Sequence, residues 1–271
     1  MRICALGGDA RLPYAVAALA KAGHEVTHSA FGEIPLAPEA LAGAEAVLLP
    51  YPATRDHSTL NAPTAPLSVP LPLLFSLVPE HIPVLCGRAD DAILRLGLGH
   101  PIYDYALRED FLERNSAITA EGAVSLLMQR LSLPLFDTPC LILGSGRLAR
   151  HLADLLSGIH APFAVFARNL NAHMPPGVTV SPLPSLPAEI GRYSVIINTV
   201  PVPLLDPSLL ARAKRGGILL ELSAVPGVVN ADACRRAGIE LTVAPSLPGR
   251  YAPEGAGRAI ADAVLSILST I

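Results

Sequence analysis

Between residues 140 and 150 the chain reads CLILGSGRLAR: a short apolar run, two glycines one residue apart, then a basic stretch. An apolar run this short suits a parallel strand buried on both faces. RLARHLADLLSG, residues 147–158, has helical periodicity. Gly144, Gly146 and Ala149 therefore form G-x-G-x-x-A at a strand-to-helix turn. Gly144 permits the tight turn, Gly146 lets backbone N–H groups approach a pyrophosphate, and Ala149 allows close helix–strand packing. The helix N-terminus adds partial positive charge. Ser145, Arg147 and Leu148 belong to the same phosphate cradle. Glycine turns also serve plain βα connections, so the neighbouring strands decide what this one does.

Those strands continue the pattern. FAVFAR, SVIINTV, GILLELSA and IELTVAP follow CLILGS as apolar runs between helical stretches. An earlier series, RICALGG, HEVTHSAF, EAVLLPYP, IPVLCGRA and PIYDYA, precedes it. NSAITAEGAVSLLMQRLS, residues 115–132, reads as a long helix joining the two series, and PEGAGRAIADAVLSILSTI as a terminal amphipathic helix. Residues 57–72, rich in Pro, Thr and Ser, read as a surface excursion. The expected fold is α/β: two doubly wound Rossmann-like domains facing across a cleft, with the C-terminal helix returning to the first. The expected boundaries are 1–117 completed by 253–271, and 118–252 for the nucleotide-binding domain.

A dinucleotide-binding domain places its ribose-reading residue about 20 positions beyond the first glycine. Here Arg168, 24 positions beyond Gly144, and Asn169 stand there. Arg pairs with a 2′-phosphate where Asp or Glu would accept from a 2′-hydroxyl, so the expected cofactor is NADP. Asn198, Thr199, Val200 and Pro201 end one further strand, and Ser223, Pro226 and Gly227 the next. Strand carboxyl ends are where open α/β sheets meet their ligands, although Pro226–Gly227 alone reads as an ordinary turn.

The charge of −3 gives no electrostatic case for nucleic acid or an anionic membrane. VPLPLLFSLVPEHIPVLCG, the most apolar stretch, is interrupted by four prolines, Glu80 and His81, so no membrane-spanning helix is expected. The N-terminus lacks a secretory pattern. Cys4, Cys86, Cys140 and Cys234 form no CxxC and read as free buried thiols of a cytoplasmic protein. No histidine pair has metal-ligand spacing, and no metal is expected.

In the first domain GGDAR, residues 7–11, follows the first strand. Asp9 and Arg11 either dock a small ligand, or Asp9 caps the next helix. Arg11, Arg108 and Arg250 lie on expected loops or element ends, and a dicarboxylate would need such forked donors. Lysine occurs only at Lys21 and Lys214, and TVAPSLPGRYAP contains no histidine, so lysine- or histidine-dependent ketone reduction lacks its catalyst.

GGDAR, YDYALRED, TAEGAV, GSGRLA, INTVP and APSLPGRYAPEGAG stand in the order found in the A subunit of dipicolinate synthase, which the chain resembles over nearly its whole length. Ile118 stands where the family has Pro before TAEG, and Arg250 where it has the Lys of LPGK. The resemblance implies NADP-dependent oxidation of a dihydrodipicolinate-type intermediate to pyridine-2,6-dicarboxylate during sporulation. It implies, as partner, a flavoprotein-like B subunit, and leaves homo-oligomerisation open. Asp9, Arg11, Thr119 and Arg250 are the substrate-binding candidates, and Arg108 and Glu121 the catalytic ones. Two other readings are another NADP-linked dehydrogenase of a small acid, with Glu109 or Glu121 as base, and a non-catalytic nucleotide-binding scaffold subunit.

Overall fold

The structure is a computed structural model that describes residues 1–223 and 228–271. Pro226 and Gly227 lie outside the described residues. The chain divides into two compact units, Met1–Asn115 with Pro248–Ile271, and Ser116–Leu247.

The first unit is built on five parallel strands: β1 Arg2–Leu6, β2 Glu25–Ser29, β3 Ala46–Leu48, β4 Val84–Cys86 and β5 Ile102–Asp104. Their spatial order is β2-β1-β3-β4-β5, so the winding reverses between β1 and β3. Ile3–Leu6, Ala46–Leu48 and Val84–Cys86 are fully buried, as a sheet covered on both faces requires. The Leu12–Lys21 helix covers one face together with the terminal helix, Pro253–Leu268. That terminal helix buries Ala256, Gly257, Ala259, Ile260, Ala261, Ala263, Val264 and Ile267, a small-residue face that permits close approach. At Gly257 a β-carbon would collide with the Arg11 carbonyl oxygen and lie 2.7 Å from Tyr14 Cβ.

Residues 57–72 are largely exposed and irregular, as their composition led us to expect, but the stretch is pinned to the body of the first unit. Leu60, Asn61, Val69 and Leu71 are buried, and Leu60, Val69 and Leu71 join the core on the other face of the sheet. A helix, Leu71–Leu77, begins there with Pro72 in its first turn.

The second unit carries β6 Cys140–Leu143, β7 Phe163–Ala167, β8 Val180–Pro182, β9 Val195–Asn198, β10 Ile218–Glu221 and β11 Glu240–Val243. All are parallel, in the order β11-β10-β9-β6-β7-β8. This is the doubly wound dinucleotide-fold order, reversing between β6 and β9. Register places Leu143, Asn198 and Glu221 side by side, so the turns after β6, β9 and β10 leave the sheet at one level. The long helix begins at Glu109 rather than Asn115 and runs to Arg130, with Glu109 and Asp110 in its first turn.

Candidate nucleotide site and carboxylate-binding residues

The β6 turn is shaped as the glycines require. Gly144 has φ +107°, a left-handed conformation that a side chain resists. A β-carbon there would collide with Thr199 Oγ1 and lie 3.2 Å from Val200 Cγ2. The turn is held by Gly144 N–H donating to Phe166 O at 2.9 Å and by Thr199 Oγ1 donating to Leu143 O at 2.7 Å. Gly146 is the N-cap of the Arg147–Gly158 helix, with no side chain capping it and no acid in the first turn. A β-carbon on Gly146 would meet nothing within 4 Å. A helix N-terminus with no side-chain cap and no first-turn acid suits an anionic phosphate. Ala149 is fully buried and Leu148 half-buried against the core below, while Arg147 is exposed.

Around this turn the other nucleotide-site candidates assemble. Arg168 and Asn169 are exposed just beyond β7. Ser145 Oγ donates to Asn169 O at 3.5 Å, and Asn169 Oδ1 accepts from Asn171 N–H at 3.1 Å. Asn198 is buried at the end of β9, Thr199 and Val200 are half-buried, and Pro201 is exposed. Ser223 follows β10, and its hydroxyl is buried with no partner among the described residues. An orphaned hydroxyl at a strand's carboxyl end, beside a phosphate-ready turn, fits a bound nucleotide.

Glu221 was not among the sequence candidates. It is 5% exposed, one carboxylate oxygen accepting from Asn198 Nδ2 and the other from Ser223 N–H, each at 2.7 Å. An acid closing an apolar run, ILLE, was the available signal; its partner became visible only with strand register.

In the first unit the expected substrate cations divide. Arg11 is 5% exposed, and its Nε and Nη2 each lie 2.8 Å from an oxygen of Asp9. Nη2 also donates to Tyr51 O. Burial pushes the Asp9 carboxyl up, but hydrogen bonds and charge from Arg11 outweigh it and hold the group below its usual value. Arg11 and Asp9 are thus paired with each other in this structure, so a substrate carboxylate binding here would share Arg11 with Asp9. Gly249 lies against this pair, where a β-carbon would come within 3.1 Å of Asp9 Oδ2 and 3.2 Å of Arg11 Nε. GGDAR and LPGR are therefore parts of one structure, with exposed Arg250 one residue beyond the contact. Arg108 is held by Asp110, Nε to Oδ1 at 3.2 Å and Nη2 to Oδ2 at 3.1 Å, so a substrate carboxylate would share it with Asp110 or displace that residue. Thr119 is half-buried and Glu121 exposed on the Glu109–Arg130 helix, in the second unit.

The four cysteines are free and buried, as expected. Burial pushes the Cys86 and Cys140 thiols up to about 12, away from nucleophilic chemistry. Among the described residues no helix is long and apolar enough to cross a membrane.

The fold defines the class: a two-unit α/β protein with the fold also found in dehydrogenases. L-alanine dehydrogenase superposes with a TM-score of 0.67 at 15% identity, over 99% of this chain and 89% of that one. Within that fold, the chain is similar to the A subunit of dipicolinate synthase. Residues 2–102 match the family model of the N-terminal domain of the dipicolinate synthase A subunit. The A subunit of Bacillus subtilis (strain 168) dipicolinate synthase is 27% identical over 168 residues, covering 60% of this chain and 56% of that protein. The crystal structure of the dipicolinate synthase A subunit from Bacillus halodurans superposes with a TM-score of 0.87 at 22% identity, covering 99% of this chain and 97% of that one.

Proposed function

We propose that the chain is an NADP-dependent oxidoreductase that converts a dihydrodipicolinate-type intermediate to pyridine-2,6-dicarboxylate. In this reading it works in the cytoplasm during sporulation, together with a B subunit. The observation that carries the nucleotide half is the β6 turn, with left-handed Gly144, a helix N-terminus that no side chain caps, room for a β-carbon at Gly146, and Arg168 exposed just beyond β7. The likeness to the dipicolinate synthase A subunit supports the substrate half.

Gly144–Ala149 would hold the pyrophosphate, and Arg168 the 2′-phosphate. Bound NADP would supply the hydride acceptor. The substrate ring loses one hydride and one proton and becomes aromatic, so the products are pyridine-2,6-dicarboxylate, NADPH and a proton. Arg250 and Arg108 would bind the carboxylates as forked cationic donors, with Asp9 and Arg11 a further candidate contact. Glu121 is the proposed proton acceptor. Product aromaticity favours the step, so positioning and charge stabilisation carry the catalysis without a histidine or lysine.

The test is to follow NADPH absorbance and dipicolinate formation after adding the dihydro intermediate and NADP to the purified chain, with and without the B subunit. Coupled formation of both products supports the reading. Dipicolinate formed at the same rate without nucleotide would sink it, and undiminished turnover by the B subunit with a chain variant that no longer binds NADP would assign the chain a scaffold role.

A further inference from the structure

The Asn198–Glu221 pair is the most enclosed polar contact of the second unit described above, and no step of the proposed reaction uses it. Asn198 is 1% exposed and Glu221 5%. Burying a carboxylate is costly unless its oxygens are satisfied, so such a pair in the interior calls for an explanation. Both Glu221 oxygens face donors: Asn198 Nδ2 on one side and Ser223 N–H on the other. Asn198 in turn grips the backbone two residues on, accepting from Val200 N–H at 3.1 Å and donating to Val200 O at 3.3 Å. One carboxylate therefore ties the start of the turn after β10 to the turn after β9.

The fold says what those turns serve. A doubly wound sheet holds a dinucleotide as two mononucleotide halves on either side of the switch point. Here that point lies between β6 and β9. Arg168, proposed for the adenosine 2′-phosphate, ends β7 on one side, which leaves the nicotinamide half to β9 and β10. We propose that Glu221 is a positioning residue for the nicotinamide half of the nucleotide, acting through Asn198 and Ser223 on the turns that receive it. This rests on the nucleotide reading given above.

The chemistry requires a carboxylate in particular. Asn198 Nδ2 and Ser223 N–H are both donors, and an amide offers only one acceptor oxygen. Glu221→Gln must turn its NH2 group toward one of them and lose that bond. Combining it with Asn198→Asp restores the pattern in reverse: the introduced amide donates to the introduced carboxylate and accepts from Ser223, while Val200 N–H keeps its acceptor. Only the 3.3 Å bond to Val200 O is lost.

The experiment titrates wild type, Glu221→Gln and the Asn198→Asp/Glu221→Gln double variant with two ligands. NADPH spans both halves; adenosine 2′,5′-bisphosphate carries only the adenosine half. Glu221→Gln is expected to weaken NADPH tenfold or more and leave the bisphosphate within about twofold, and the double variant to recover most of the NADPH loss. Retained bisphosphate binding shows that the unit is folded. Unchanged NADPH affinity in Glu221→Gln overturns the inference alone, as does equal weakening of both ligands, which marks a structural role. If Glu221→Gln does not fold, the double variant decides: NADPH weakened tenfold or more with intact bisphosphate binding overturns it, and near-wild-type affinity for both supports it. A wild type that binds neither ligand overturns the nucleotide reading itself and this inference with it.

Discussion

Gly257→Ala sets two rules of protein stability against each other. Gly257 lies in the interior of the Pro253–Leu268 helix, where alanine is intrinsically better by about 1 kcal/mol. Propensity alone therefore makes the substitution stabilising. The packing has the opposite sign. An added β-carbon would overlap the Arg11 carbonyl oxygen, lie 2.7 Å from Tyr14 Cβ and stand 3.0 Å from Ala15 N. Two of these are backbone atoms of the helix start that holds Arg11, so no side chain can swing away to make room. The terminal helix must instead move off the Leu12–Lys21 helix and open the apolar contact between them. Overpacking of this kind costs typically 1–3 kcal/mol, and forced backbone movement lies at the upper end. The net expectation is a loss of roughly 1–2 kcal/mol, or about 4–8 °C in the first unit's unfolding midpoint. Calorimetry or urea unfolding measures it, with Gly158→Ala as control. Gly158 is the exposed last residue of its helix, and a β-carbon there meets nothing within 4 Å. That control should be neutral or slightly stabilising. A Gly257→Ala protein as stable as wild type or more so would refute the close-packing argument, and with it the docking of the terminal helix described above.

Further outcomes follow from the Asp9–Arg11 pair and the substrate cations. Asp9 titrates below its usual value in the folded chain, so its stabilisation is complete above an unfolded value of about 4 and is lost as pH falls through the lower folded one. Asp9→Asn should cost about 3 kcal/mol at neutral pH, because Arg11 is left buried and unpaired, and the gap to wild type should narrow below about pH 4 in urea unfolding. A pH-independent gap would mean that shape, not charge, is the contribution. Arg250→Ala should raise the substrate KM or lower kcat/KM tenfold or more, the loss of one closed carboxylate–guanidinium contact at about 2–5 kcal/mol, with NADPH affinity unchanged. If Arg250→Ala and Arg108→Ala both keep near-normal turnover, the carboxylates bind elsewhere.

How much of this was legible beforehand depended on whether the physics was local. The central strands of both sheets, such as Arg2–Leu6 and Cys140–Leu143, announced themselves as short apolar runs, because burial on both faces leaves no room for polar residues. Val180–Pro182 did not: three residues with a terminal proline at a sheet edge carry almost no pattern. The β6 turn was readable because glycine spacing and a helix N-terminus are sequence-local. Residues 57–72 were legible as a loop, but Pro, Thr and Ser say nothing of whether its few apolar residues dip into the core, as Leu60, Val69 and Leu71 do. The partner of Arg11 was equally hidden: the sequence shows an arginine after a strand, and only the fold shows it paired with Asp9 two residues earlier. Asn198 and Glu221 lie 23 residues apart, and only parallel register makes them neighbours.

The central claim is that the second unit binds NADP at Gly144–Ala149 with Arg168 on the 2′-phosphate. Fluorescence titration of wild type and Arg168→Asp with NADPH and NADH tests it most directly. A charged hydrogen-bond partner is worth about 1.5–3 kcal/mol, which converts to tenfold or more in affinity. Wild type should prefer NADPH, and Arg168→Asp should lose at least tenfold for NADPH while NADH binding holds or improves. A wild type that prefers NADH, or a variant that weakens both nucleotides equally, would contradict the account.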